Sequence, residues 1–265
     1  MKRDGFALMA VLWTVTLLAA TVAVGAGGIR MGQQATANRL RLARGRWAAE
    51  ACLAIAEARS LRGELTDSAT IDLGGHVTCT WTVDYPDGRL DANTAAQATL
   101  ARLAMARGFT PDSAEQFAQA VVARRNTRAL TDVREVAGLH GADARILRLL
   151  AVDGSARVDA GVASPVVLAS LPGLTPEAVD LILRRRERGE GLHSLDELAG
   201  ALSPAARAVL FDDYRDLAPM IAFSSSRLVL MAHGWVGSER RPQATIEVVV
   251  ERLPARLAVL RRRMR

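Results

Sequence analysis

Residues 6–29, FALMAVLWTVTLLAATVAVGAGGI, carry no charge, and only Met1-Lys2-Arg3-Asp4-Gly5 precedes them. As a helix this run is roughly 36 Å long at ~1.5 Å per residue, enough to cross a hydrocarbon core of ~30 Å. It predicts a membrane helix. A secretory signal would need a longer basic leader and a small-residue cleavage site after an apolar stretch of about 7 to 15 residues; this run is longer and starts earlier. The flanking charges do not orient it. Lys2 and Arg3 precede the run, but Arg30, Arg39, Arg41, Arg44 and Arg46 follow it, so a positive-inside count opposes a cytoplasmic amino terminus.

Beyond Gly25, Gly27 and Gly28, where a helix can loosen, Leu40, Ala43, Trp47, Ala51, Ala54, Ala58 and Leu61 step by threes and fours. This predicts one long helix, 6–29 in lipid and 30–62 in water. The stripe is expected to pack on a sheet, with partner contact along its length. Val77, Cys79, Trp81 and Val83 then alternate with threonines, a half-buried strand closed by Tyr85-Pro-Asp-Gly88. Cys79 falls on the apolar face turned to the helix that bears Cys52. A disulfide and two buried free thiols both fit this placement.

From 90 to about 217 the pattern is helical with no strand, and it repeats. LDANTAAQATLARL from Leu90 matches VDAGVASPVVLASL from Val158, Gly108-Phe-Thr-Pro111 matches Gly173-Leu-Thr-Pro176, and 130–138 matches 192–200. Strand periodicity returns at 227–236 and 243–253, and the closing Arg261-Arg-Arg-Met-Arg265 reads as a solvated tail. The expected fold is therefore α+β: 63–89 and 219–265 form a small antiparallel sheet on the long helix, and 90–218 is a large all-α insertion of two units, about 90–152 and 158–217.

The net charge of +6 raises nucleic acid or anionic lipid as a partner. Lys2 is the one lysine, however, so the basicity is an arginine bias spread along the chain. Aromatic residues, at 4%, are too few for a base-stacking surface. The turn Leu171-Pro172-Gly173 opening 169–183 resembles a helix-hairpin-helix, the SAM-like module whose backbone amides can meet a phosphate. Glu177 and Asp180 would repel phosphate, whereas Arg184, Arg185, Arg186 and Arg188 stand nearby. A structural hairpin is the expectation. No catalytic motif appears: the four histidines, His76, His140, His193 and His233, are scattered, and no metalloprotease helix, nucleophile elbow or phosphate loop is present. Asp212, Asp213 and Asp216 lack the spacing of a calcium loop.

The order Lys-Arg-Asp-Gly followed by Phe, before an apolar run, resembles the prepilin-peptidase site of type IV pilins and type II secretion pseudopilins. The resemblance implies a leader 1–5, cleavage after Gly5 and N-methylation of Phe6. The glutamate usual at the fifth mature position is replaced by Ala10, a departure characteristic of the K-type minor pseudopilins (general secretion pathway protein K). With the flanking strands and the helical insertion, the whole chain resembles that family. The resemblance implies an assembly protein, not an enzyme. It would be single-pass in a bacterial inner membrane with its bulk in the periplasm. It would sit at the tip of a pseudopilus with I- and J-type minor pseudopilins, the major pseudopilin and the inner-membrane platform. No cofactor is implied beyond calcium, whose ligands do not map onto this chain, and nucleic acid is not an expected partner. Two alternatives remain open from the residues alone: an ordinary signal anchor, and a membrane-anchored helix-hairpin-helix DNA receptor of the competence type.

Overall fold

The computed structural model describes residues 4–139, 141–239, 241–253 and 256–264; the side chains of 4–8, 10, 25–27, 29 and 30 also fall outside the described residues. Helix α1, Asp4–Arg62, runs through the glycine cluster without a break. Leader positions 1–3 and the side chains of Phe6 and Ala10 thus lie outside the described set. Among the described residues no helix is long and apolar enough to cross a membrane, and the expected span, 6–29, falls partly outside them.

After α1 come strands β1 (Ser68–Gly74) and β2 (Val77–Asp84), then β3 (Leu90–Asp91), α2 (Gln97–Ala106), α3 (Pro111–Thr127), α4 (Ala144–Leu147) and β4 (Leu150–Ala151). A matching series follows: β5 (Val158–Asp159), α5 (Pro165–Ser170), α6 (Pro176–Glu187), α7 (Leu195–Gly200), α8 (Pro204–Asp212), α9 (Tyr214–Leu217) and β6 (Ile221–Ala222). Strands β7 (Arg227–Val236), β8 (Ala244–Leu253) and β9 (Arg256–Met264) close the chain. The main sheet has the order β1-β2-β7-β8-β9 and each pairing is antiparallel. The chain leaves the sheet at Asp84 and re-enters beside it, with Asp84 opposite Val229. The helical block is thus hung between two neighbouring strands.

Two separate cores follow from this. One lies between α1 and the sheet and includes Ala48, Ala49, Cys52, Leu53, Ala56, Cys79, Trp81, Leu228, Leu230, Ile246 and Val248. The other is internal to the helical block, around Leu100, Phe117, Ile146, Leu168, Leu198 and Leu210. The two units of that block share local devices. Thr110 and Thr175 cap α3 and α6, each followed by proline, which fits the first helical position because its missing N–H has no partner to lose. Arg125 donates to the carbonyls of Ala92 and Ala95, at 3.0 and 2.7 Å, and Arg186 to those of Ala163 and Ala160. Arg124 pairs with Glu135 and Arg185 with Glu197.

Three expectations are corrected. The block is not free of strand: β3 pairs with β4, and β5 with β6, in parallel two-residue ladders that tie each unit's start to its end. Pieces so short show no periodicity. The arginine-rich tail is not loose, because residues up to Met264 form the edge strand β9. Arginine stems lie along a sheet edge while their heads find carboxylates: Arg261 chelates Asp153 at 2.5 and 2.6 Å, and Arg262 pairs with Glu50. The apolar stripe on α1 is not the face that meets the sheet. That face is Gly45, Ala48, Ala49, Cys52, Leu53, Ala56 and Ser60, while Leu40, Trp47 and Leu61 remain 53–58% exposed.

The cause is a backbone contact. A Cβ on Gly234 of β7 would overlap the Gly45 carbonyl of α1 and lie 2.9 Å from the Ala49 amide nitrogen, and one on Gly45 would overlap the Gln243 side chain. Only small residues fit where helix and strand come this close. Gly234→Ala is expected to cost about 3 kcal/mol or more, whereas Gly200→Ala, in open space, shifts stability by less than about 1 kcal/mol. Urea unfolding of the two variants checks this, and equal midpoints would contradict the close approach.

Candidate assembly interface

With one side of α1 occupied by the sheet, its opposite side is an unpartnered apolar surface. Leu40, Ala43, Trp47, Ala54 and Leu61 are exposed and Ala51 and Ala58 half-buried, and toward the amino terminus Val11, Leu18 and Val22 continue the same side, while Met9, Leu12, Trp13 and Leu17 are exposed on the other sides of the helix. Exposed leucine and tryptophan in one line along a helix mark a surface to be covered. Small alanines between them let another helix approach closely.

Two devices hold this helix to its sheet. Cys52 and Cys79 form a disulfide with Cα atoms 5.8 Å apart. Closing 27 residues of chain, it stabilises by about 3.5 kcal/mol on a loop-entropy account. Further along, Trp81 is fully buried, donates from Nε1 to the Thr66 carbonyl at 3.2 Å, and has the Arg59 guanidinium 5.2 Å above its ring.

The hairpin turn Leu171, Pro172, Gly173 is buried, together with Leu174. Gly173 has φ +69°, and a Cβ there would stand 2.9 Å from that of Asp213, so the start of α9 covers the turn. Glu177 accepts from the Ser203 hydroxyl at 2.6 Å and its amide at 2.8 Å, bonds that hold its carboxyl below the usual range. The turn therefore sits inside the block, against Leu210 and Asp213. Among the described residues no group of three or more His, Cys, Asp or Glu side chains could hold a metal ion. Asp212 and Asp216 face solvent and Asp213 faces the hairpin, so the implied calcium finds no fitting ligand set there. The described histidines stay apart: His193 donates its amide to Glu197, and His233 shares a 2.9 Å hydrogen bond with Thr245.

The junction of helical block and sheet is ionic and was not foreseen. Asp87 accepts from the Ser155 amide at 2.7 Å and the Arg227 amide at 3.4 Å, and Arg227 donates to the carbonyls of Asp153 and Gly154. These partners stand as far apart as 140 positions, a separation that no periodicity reports. Gly45 and Gly234 did carry a signal: each is a lone glycine inside a helix or strand pattern, which marks close backbone approach.

No protein-family model matches the sequence, and no curated protein matches it. The architecture nevertheless defines a class: a long amino-terminal helix on a small antiparallel sheet, with a helical block inserted between two adjacent strands. Among solved structures it is shared by a chain of the GspK-GspI-GspJ complex from the enterotoxigenic Escherichia coli type 2 secretion system, with TM-score 0.62 and 15% sequence identity over 89% of this chain and 98% of that one. The part of this chain left uncovered is smaller than the helical block, so the likeness includes the insertion.

Asp91, 7% exposed beside this junction, supplies a pH test. Burial pushes its carboxyl up from an ordinary 3.8 to about 6, with the Asn93 amide and Arg227 opposing and Asp153 and Asp87 adding to the rise. A raised carboxyl favours the folded state fully below its unfolded value and loses that contribution as pH climbs through 6. His233, lowered by burial, acts oppositely near its ordinary 6.5, so a variant is needed to isolate Asp91. Asp91→Asn should be more stable than the parent at pH 7.5 by on the order of 2 kcal/mol, and the gap should shrink to roughly half by about pH 5 and close only below the ordinary 3.8. Thermal unfolding across that range checks it.

Proposed function

We propose that this chain is a K-type minor pseudopilin of a type II secretion system. The observation that carries it is the open apolar face of α1, found in a fold shared with a chain of a complex that contains GspK, GspI and GspJ. In this reading residues 6–29 anchor the protein in a bacterial inner membrane, with the bulk in the periplasm, after cleavage behind Gly5 and methylation of Phe6. The helix then enters a fibre, packing its open face on the helices of I- and J-type partners and the major pseudopilin. The helical block, built of two helix-hairpin-helix units, sits at the tip, where its bulk meets no neighbour above. Ala10 suits that place, because a subunit with nothing above it has no neighbouring amine to neutralise, and a buried carboxylate without a partner is costly. The protein is an assembly component that initiates the fibre and supports export of folded proteins across the outer membrane, and it performs no catalysis.

Coexpression of the full chain with I- and J-type partners tests the reading. The three proteins should copurify, and Trp47→Glu should weaken that association at least about tenfold, the scale expected for taking one large apolar side chain out of an interface, while leaving thermal unfolding unchanged because Trp47 is 58% exposed. Intact mass should show a mature chain beginning at methylated Phe6. Failure to copurify, together with tight and salt-sensitive binding of duplex DNA, would replace this reading with the DNA receptor.

A further inference from the structure

Between Asp4 and Glu50 each charged residue of α1 is an arginine: Arg30, Arg39, Arg41, Arg44 and Arg46. The last four are exposed. Arg41 is paired, 3.0 Å from Glu239 of the β7–β8 loop, and among the described residues Arg39, Arg44 and Arg46 have no carboxylate partner. At about 100° per residue, Arg39 and Arg46 project from one side of the helix and Arg41 and Arg44 from the other. The same end of the folded part carries exposed Arg241 and half-exposed Arg263. The charge is therefore a collar around the helix, just beyond the uncharged run.

We propose that this collar is a docking surface for the phosphates of anionic phospholipid headgroups in the membrane leaflet from which α1 emerges. The proposal rests on the membrane-anchor reading above. A ring of charge suits a plane that the helix pierces, whereas a protein partner seated on α1 would meet one side alone. Rise along the helix sets a gradient. Counted from residue 30 at ~1.5 Å per residue, Arg39 lies about 14 Å out and Arg46 about 24 Å. Headgroups occupy roughly 5 to 8 Å beyond the hydrocarbon, and side chains on a helix lean back toward its amino terminus, here toward the lipid. With a screening length of about 8 Å at physiological salt, Arg39 feels the headgroups most and Arg46 least among the four described arginine side chains. The collar also accounts for the positive charge on the side that a positive-inside count disfavours: those arginines hold the folded part down on the anionic surface.

Amide hydrogen exchange of the full chain in nanodiscs tests this, comparing phosphatidylcholine alone with a mixture containing phosphatidylglycerol. Amides of 11–24 should be protected in both discs; fast exchange there would overturn the anchor reading itself. Given that protection, amides of 36–47 should exchange several-fold more slowly in the anionic discs, and 0.5 M sodium chloride should abolish the difference. Arg39→Gln should remove most of it and Arg46→Gln little, with β2 amides unchanged as a control for folding. Equal exchange of 36–47 in the two discs, or a slowing that survives both salt and Arg39→Gln, would overturn the lipid proposal while leaving the anchor intact, and would turn the collar toward a protein partner.

Discussion

The Gly45 carbonyl of α1 rests against the Cα of Gly234 in β7, and this backbone contact decides which side of the helix belongs to the sheet. Because the two backbones touch, every position in line with Gly45 has to be small or able to lie flat. Ala48, Ala49, Cys52 and Ala56 meet that condition, and Trp47 and Leu40 do not. The larger side chains turn outward as a consequence of fit, against the usual preference for burying the most apolar residues. Cys52, two turns beyond Gly45, adds a covalent tie to β2 in the same line, so rotation of the helix about its axis is blocked at two heights.

The helical block makes no use of that core. It closes on itself through the two-residue ladders and the paired arginines, and reaches the sheet through Asp87, Asp153, Arg227 and Arg261. A large insertion held by directional polar bonds leaves the order of β2 and β7 undisturbed, since neither strand has to give up an apolar contact. The burial of Asp91 is the cost: a carboxyl placed where its charge is poorly solvated, beside the other carboxyls that form the junction. Its raised pKa and the junction's hydrogen bonds are two sides of the same close packing.

Much of the sheet was legible because β2 and β7 alternate, and β8 does so apart from its run Val248–Val250. The expected strand 227–236 coincides with β7, and 243–253 begins one residue before β8. The turn at 85–88 was legible from proline and glycine. What was missed has a physical signature too. β1 is an edge strand in which Ala69, Ile71 and Leu73 do alternate with polar residues, but they are only partly buried and the run is short, so its signal is weak. β9 hides behind arginines, whose charge suggests solvent although their stems lie along the sheet. The facing side of α1 was misassigned because hydrophobicity was weighed above size. A face selected for close approach has a weaker apolar signal than the one left open, and the glycines at 45 and 234 were the cue. The cysteines could be placed on facing surfaces, but not at bonding distance, from alternation alone.

Size and exposure also bound what the open face can do. Leu40, Trp47 and Leu61 are each a little over half exposed. Covering all three would contribute on the order of 4 kcal/mol, which falls at the low end of the roughly 4 to 15 kcal/mol that two free proteins lose in translational and rotational freedom on association. The watery half of the stripe is thus too weak to join subunits from solution. In the proposed reading the helices are already confined to a membrane and aligned, which removes much of that loss before contact. The stripe then only has to choose neighbours and register. On that reading, a surface of this strength would give assembly that starts in the membrane and stays reversible until several neighbours engage.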